Sequence, residues 1–252
     1  MYQKERMDAI MKIVKENHYV TVEYLVKEIK YSPASIRRDL TILQKQGLVT
    51  RSYGGITYKD ANISPFRFRQ HSMKKEKNAI AQKAAALVQS GDVIYIDGSS
   101  TAQYMGHFLT EKKDITVVTS NMMLADYLSE YGISIYCTGG KIVERPGILG
   151  GDFMLDTIKK FNFDIAFFSS HAFNSNGQVC SHVESGVHYH QELRKHTKKL
   201  VYLCGSDKFD AEGKYVSLTL KDLNCVISDK EISAEIKKAY PETSYICTEN
   251  NE

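Results

Sequence analysis

Three stretches of helical periodicity, two short strand-like runs around Gly54-Gly55, and a long alternation of apolar strands and helices predict an α/β fold in two parts. Residues 1–58 read as an N-terminal winged helix-turn-helix. Residues 59–77 read as a linker, and residues 78–252 as a C-terminal Rossmann-like βαβ domain.

The first helix spans Gln3–Asn17, with Met7, Ile10, Met11 and Val14 at helical spacing among Lys and Glu. Tyr19-Val20-Thr21 breaks that pattern. Thr21 is a suitable N-cap for a second, short helix whose Val22, Leu25, Val26 and Ile29 share one face. Ser32-Pro33, a cap residue followed by proline at the first helical position, opens a third helix that runs to about Gln46 and stops at Gly47. Ile36, Leu40 and Leu43 form its apolar face, while Ser35, Arg37, Arg38, Thr41 and Lys45 occupy the others. Two short helices joined by a tight turn, the second basic near its start, match the layout that places a recognition helix in the DNA major groove. Residues 48–58 read as two strands around a glycine turn, a wing that would bring Arg51 and Tyr53 to the DNA backbone. The DNA-contacting set is therefore Ser32, Ser35, Arg37, Arg38, Thr41, Arg51 and Tyr53. Asp39 is assigned instead to holding an arginine, because a carboxylate repels phosphate.

Residues 59–77 lack sustained apolar periodicity and include Ser64-Pro65 and the basic run Lys74-Lys75-Glu76-Lys77. An alanine-rich helix follows over residues 79–88, with Ile80, Ala84, Leu87 and Val88 facing inward. Strands are predicted over residues 93–96, 115–119, 133–137, 165–169, 200–204 and 225–228, with helices over 102–109, 122–129, 153–161 and 187–196. This spacing implies a mainly parallel sheet covered on both faces, whose ligands sit beyond the carboxyl ends of the strands. Polar turns recur there: Asp97-Gly98-Ser99-Ser100-Thr101, Thr119-Ser120-Asn121, Thr138-Gly139-Gly140 and Gly205-Ser206-Asp207-Lys208. Four such turns at successive strand ends suit a pocket for a phosphate or a polyol.

The formal net charge is only +3, but it is unevenly divided. Residues 1–78 carry 16 Lys and Arg against 8 Asp and Glu, whereas residues 79–252 carry 17 against 22. A basic head on an acidic body is the footprint of a nucleic-acid contact localised to one end. No apolar run approaches the roughly 20 residues of a membrane span, and the start lacks an apolar leader segment, so no membrane contact and a cytoplasmic location are expected. The five cysteines are odd in number and widely spaced, which favours buried reduced thiols.

Tyr19-Val20-Thr21-Val22, the stretch from Ser32-Pro33 through Ile36-Arg37-Arg38-Asp39-Leu40, and Gln46-Gly47-Leu48-Val49 together resemble the DNA-binding signature of the DeoR family of bacterial transcription regulators. Gly54-Gly55 also matches the family's wing, with Tyr53 where histidine is more common. The body resembles the family's sensor domain, which is similar in fold to ribose-phosphate and glucosamine-phosphate isomerases. The resemblance implies that Asp97, Gly98, Ser99, Ser100 and Thr101 form a phosphate loop, with Asn121, Gly139, Gly140, Glu184 and Lys208 at further effector positions. It also implies a repressor of a carbohydrate operon that answers to a phosphorylated sugar or related metabolite. Three positions depart from the pattern. Ser169-Ser170-His171-Ala172 replaces a Gly-Ala-Asp-Gly-like strand end, His188 stands where a lysine is usual, and Gly205 replaces an aspartate.

The expected partners are an operator in double-stranded DNA, a small-molecule effector, and further copies of the chain, at least to a dimer. No cofactor and no catalysis are expected. The rival readings are a regulator that answers to a metal or to a non-phosphorylated polyol, and an isomerase-like enzyme. His182, Glu184, His188 and His190 are the metal candidates, although residues two apart on a helix point to different faces.

Overall fold

The computed structural model describes residues 2–17, 19–45, 48–52, 55–58, 66–144 and 146–249. It divides into two compact units, Met1–Ser72 and Met73–Glu252.

In the first unit α1 (Gln3–Asn17), α2 (Val22–Ile29) and α3 (Pro33–Lys45) enclose a core of Ile10, Val14, Leu25, Ile36, Leu40 and Leu43. These are the residues that helical spacing placed on the inner faces, so the apolar period alone accounts for the packing. Thr21 caps α2 by accepting from the Tyr24 N–H at 3.0 Å. Lys30 ends that helix in the left-handed region, with φ 57°, and turns the chain into α3. Tyr19-Val20, read from sequence as a break, is a strand, β1 (Tyr19–Val20). It pairs with β3 (Gly55–Tyr58), which in turn pairs with β2 (Val49–Ser52) in a three-stranded antiparallel sheet. Two residues are too few to show a period of two, and tertiary pairing decides their state. A short helix, α4 (Phe66–Arg69), follows.

The second unit begins with α5 (Lys74–Ala86). The basic run at 74–77, assigned from sequence to the linker, is the first turn of this helix, and residues 59–65 lie outside the described residues. Seven parallel strands form the central sheet: β4 (Val93–Ile96), β5 (Thr116–Thr119), β6 (Ser134–Cys137), β9 (Phe163–Phe168), β12 (Thr197–Cys204), β14 (Cys225–Ser228) and β15 (Ser244–Cys247), in spatial order β15-β14-β12-β9-β4-β5-β6. Alternate residues feed two cores. Ile94, Ile96, Val117, Phe167, Val201 and Leu203 pack with Ile80 and Ala84 of α5 and with Leu124 and Leu128 of α7 (Met122–Ser129). Tyr95, Val118, Ala166, Phe168 and Tyr202 pack on the other face with Ile158 of α8 (Asp152–Ile158) and Leu193 of α9 (Glu184–Lys195). Burial on both faces explains why these strands read as continuous apolar runs.

Several elements were not legible in advance. They are the hairpin of β7 (Lys141–Glu144) and β8 (Ile148–Gly150), the antiparallel sheet of β10 (Ala172–Phe173), β11 (Gln178–Ser181) and β13 (Tyr215–Thr219), the edge strand β15, and a last helix, α10 (Ala234–Ala239). The helix expected over residues 102–109 is a 3-10 turn at Ala102–Met105 that relaxes into α6 (Gly106–Leu109). All five cysteines are free. Cys180, Cys204 and Cys225 are buried, but Cys137 at the end of β6 is exposed, contrary to the expectation for the set.

Among the strands, β4 is the point where the order reverses. The chain runs outward through β5 and β6, then returns to lay β9 on the other side of β4. The crevice beyond the carboxyl ends of β4 and β9 is therefore the place where such a sheet accepts a ligand.

Candidate DNA-reading face and effector site

Ser32 and Ser35 open α3 together: the Ser32 hydroxyl accepts from the Ser35 N–H at 3.2 Å and lies 3.0 Å from the Ser35 hydroxyl. Arg37 and Arg38 are exposed one turn later. Thr41 donates to the Arg37 carbonyl at 2.9 Å, and the Arg51 guanidinium on β2 donates to the Thr41 hydroxyl at 3.0 Å. The wing is thus tied to the recognition helix through Thr41. Tyr53 lies outside the described residues.

Asp39 faces inward. It is fully buried, and its two oxygens accept from Arg6 of α1 at 2.5 and 3.1 Å and from Gln3 at 3.1 Å. The Arg6 guanidinium also lies over the Tyr31 ring at 4.7 Å. Its bond to Asp39 raises its pKa above an already high ordinary value. The expectation that Asp39 holds an arginine identified the role of the carboxylate, and the fold supplies the partner, 33 residues away.

In the body, the loop after β4 is fastened across the reversal point. Asp97 is nearly buried, and its carboxylate accepts from the backbone N–H of Ser99 and from that of Ser169 at the end of β9, each at 2.9 Å. Ser99 Oγ accepts from the Ala102 N–H at 3.1 Å. A Cβ on Gly98 would stand 2.5 Å from Ile148 Cγ2 and 3.2 Å from Ser120 Oγ, so only glycine fits between β8 and the end of β5. Ser100 and Thr101 are buried, and Ser100 Oγ accepts from Lys77 Nζ at 3.1 Å.

Lys77 is the residue that reading the sequence missed. It is 3% exposed, although it sits in a basic run. Its position, three, four and seven residues before Ile80, Ala81 and Ala84, continues the buried stripe of α5 backward and was the available signal. It brings an ammonium onto the strand-end loop. The short 3-10 turn that follows the loop has little dipole of its own, so the cationic group at the loop is this side chain rather than a helix terminus.

The other expected effector positions differ in kind. Asn121 is fully buried as the cap of α7: its Oδ1 accepts from the N–H groups of Met123 and Leu124, and its Nδ2 donates to Gln103 at 3.3 Å. Gly139 and Gly140 have φ of 72° and 110° at the entry to β7. Glu184 is the exposed first residue of α9. Lys208 Nζ lies 3.2 Å from Asp207 Oδ1. A Cβ on Gly205 would stand 2.5 Å from that same oxygen, so the Asp207 carboxylate occupies the space beside Gly205.

Two of the departures from the pattern, Ser169 and Ser170, are absorbed locally. Ser169 Oγ donates to the Leu203 carbonyl at 2.6 Å, and Ser170 Oγ lies 2.6 Å from the Tyr202 hydroxyl, tying β9 to β12. His188 is exposed, whereas His190 is buried with Nδ1 2.9 Å from Ser217 Oγ. Among the described residues no group of three or more His, Cys, Asp or Glu could hold a metal ion. None of the described helices is long and apolar enough to cross a membrane.

Comparison with known proteins agrees with this division. Residues 6–62 match the model of the DeoR-like helix-turn-helix domain, and residues 72–230 match that of the DeoR C terminal sensor domain. The chain is 29% identical over 233 residues to the HTH-type transcriptional repressor GlcR of Bacillus subtilis (strain 168), covering 91% of this chain and 90% of that protein. It is 28% identical over 211 residues to the glycerol-3-phosphate regulon repressor of Escherichia coli (strain K12), covering 83% and 84%. Ribose 5 phosphate isomerase A from Neisseria gonorrhoeae superposes on about half of each molecule, 53% and 52%, with a TM-score of 0.38 and 14% identity. With the sensor-domain model matching more than half of the chain and a matched helix-turn-helix ahead of it, the chain belongs to the DeoR family of transcription regulators.

Proposed function

We propose that this regulator represses a carbohydrate operon, binding its operator as a dimer or larger assembly and responding to a phosphorylated sugar or related metabolite. The observation that carries the effector reading is the buried Lys77 ammonium on Ser100, within a glycine-bearing loop at the reversal point of the sheet. Such a loop suits a phosphate group. Support comes also from the relatives: two carry repressor names, and one of these is named for the glycerol-3-phosphate regulon. Lys208 stands at a neighbouring strand end, with Asp207 as its counter-ion until an anionic ligand replaces it.

In this reading Ser35, Arg37 and Arg38 meet the major groove or its phosphates, with Ser32 and Thr41 shaping the helix entry and Arg51 and Tyr53 on the flanking backbone. Fluorescence anisotropy on fragments of the chain's own promoter region tests it. Arg37→Ala or Arg38→Ala is expected to cost about 1–3 kcal/mol where the arginine reads a guanine, or to lower the salt slope by about 1 where it meets phosphate. Wild-type binding by both variants would refute the recognition-helix assignment.

The effector is sought by a thermal-shift screen of sugar phosphates and free polyols, since a bound ligand stabilises the folded state by mass action. Ser100→Ala and Lys208→Ala are expected to remove the response to whichever ligand emerges while operator binding persists. Loss of operator binding in both variants would show that these residues serve the fold and not the effector. Coupling between effector and operator is expected at about 1–3 kcal/mol. A preference for free polyols over their phosphates would favour the rival polyol reading.

A further inference from the structure

The chain from Tyr131 to Gly140 holds no charged residue, in a protein where charged residues make up 25%. Its centre is β6, Ser134-Ile135-Tyr136-Cys137, which closes one end of the seven-stranded sheet. Among the described residues β6 pairs only with β5, in unbroken register from Ser134 to Cys137, and three of its four residues are exposed. An open strand edge is a template for a further strand, and proteins ordinarily protect it with charge, proline, a bulge or a covering element. β6 has neither charge nor proline nor bulge. The neighbouring β7 shows that protection: Lys141 and Glu144 bound it, and its register shifts between Ile142 and Glu144. At the opposite end of the sheet, β15 keeps only Ser244 exposed, with the Tyr245 ring under Lys237 and its hydroxyl donating to the Tyr240 carbonyl.

Exposed apolar side chains gather around the same edge. Nine large hydrophobic residues are exposed among the described residues of the second unit. Six of them are Met122, Tyr131, Tyr136, Ile142, Val143 and Phe153, each between 44% and 75% exposed. They lie on α7, the turn after it, β6, the hairpin that follows, and the first turn of α8. α8 is fastened to the end of β6: Thr157 Oγ1 donates to the Thr138 carbonyl at 2.8 Å, and the Tyr136 ring packs on Phe161 at 5.2 Å. Gly147 of the hairpin lies on α7, where a Cβ would stand 3.1 Å from Met122 Cβ. At about 100 Å² apiece, these side chains leave about 600 Å² of apolar surface in water, the upper end for a monomer. A standard interface covers about 800 Å² on each partner and is more apolar at its centre, so this margin has the size that a homodimer needs.

We propose that β6 and its apolar margin are the surface on which a second copy of this chain docks, the two β6 strands pairing antiparallel about a two-fold axis. The proposal rests on the reading of the regulator as at least a dimer, and it names where the copies meet. A two-fold axis normal to the sheet presents the same edge running the opposite way. The outward N–H and C=O groups of one strand then meet those of the other, and two seven-stranded sheets join into one. Each helical layer stays on its own face, and the uncharged edge brings no like charges together. Pairing β6 with β15 of another copy would instead be head-to-tail and would propagate without closing. A closed pair is what the two half-sites of an operator require.

The test is sedimentation velocity of the full-length protein without DNA, across the micromolar range, on wild type, Ser134→Lys, Tyr136→Lys and, at the other edge, Ser244→Lys. Wild type and Ser244→Lys are expected to sediment at twice the mass of the chain. Ser134→Lys and Tyr136→Lys should each raise the dimer dissociation constant by about a hundred-fold, because two ammonium groups then share one edge. Ser134 is exposed and takes no part in the ring contact of Tyr136, so it keeps the test open if Tyr136→Lys fails to fold. Hydrogen exchange locates the contact: the amides of residues 134–137 should exchange slowly in wild type above its dissociation constant and faster in Ser134→Lys at the same concentration. A wild-type tetramer that falls to a dimer in both β6 variants also supports the surface. Association of wild-type strength in both variants, or exchange at 134–137 that does not change, overturns the surface and leaves the dimer reading standing. A wild type that stays monomeric removes the dimer reading as well. A wild type that grows into ever larger species with concentration associates head-to-tail and overturns the two-fold pairing.

Discussion

Asp39→Ala is expected to cost the N-terminal unit about 3–5 kcal/mol, the penalty for breaking one side of a buried ion pair. Operator binding should disappear while the second unit keeps its own melting transition. The carboxylate is fully buried and receives three donated hydrogen bonds, two from Arg6 and one from Gln3. Alanine leaves the guanidinium, which is 11% exposed, without its carboxylate acceptor. The Tyr31 ring beneath it offers a π-face and its hydroxyl a neutral acceptor, neither of which replaces a carboxylate. A unit this small has a total stability on the order of 5 kcal/mol, so the loss exhausts it. Calorimetry should show the first transition displaced or absent. The double variant Arg6→Met, Asp39→Leu supplies the control: apolar groups of similar volume are expected to restore folding, because the pair gains little over a well-packed hydrophobic contact. A single variant that melts like wild type would show that the clamp between α1 and α3 is dispensable.

That clamp shows how far the sequence could be read. A carboxylate in the middle of a recognition helix cannot face phosphate, so its structural role followed from charge alone. Its partner depended on how α1 crosses α3, which no local pattern records. The parallel strands were legible where the run was apolar on both faces: Val93–Ile96 and Cys225–Ser228 have the expected bounds. Strands that are short or polar escaped, among them Tyr19–Val20, Ala172–Phe173 and Gln178–Ser181, because pairing with a distant partner defines them.

The polar strand ends of the proposed effector site were legible in the sequence, but the hydrogen bonds each residue makes were not. Asp97 and Asn121 resemble ligand contacts in sequence, yet their side chains are engaged in fastening strand ends and capping α7. Lys77 was hidden by its charged neighbours.

Acidification is expected to destabilise the second unit through His190. This histidine is 5% exposed, packed against Phe168 at 4.8 Å and Tyr189 at 4.9 Å, with Nδ1 on the Ser217 hydroxyl. Burial pushes its pKa down to about 3, the nearby His171 adds to the depression, and the Ser169 backbone opposes it. In the unfolded chain the imidazole titrates near its ordinary value of about 6.5. Between those values the unfolded state binds a proton that the folded state refuses. Stability is therefore full above about pH 6.5 and falls progressively as the pH drops toward 3, by up to about 5 kcal/mol over the whole window. His182 is depressed by burial and by Lys214, and contributes with the same sign. Asp164, held below the ordinary carboxylate range by Lys198 and by the Val93 N–H, adds its loss only at the acid end. Urea unfolding of the second unit at pH 7 and pH 5 isolates the histidine part, with an expected difference of about 2 kcal/mol. His190→Gln keeps a polar group near Ser217 but cannot take a proton, so its stability should change much less over the same interval. If the variant loses as much as wild type between pH 7 and 5, the imidazole is not held neutral by burial, and the acid sensitivity arises elsewhere in the unit.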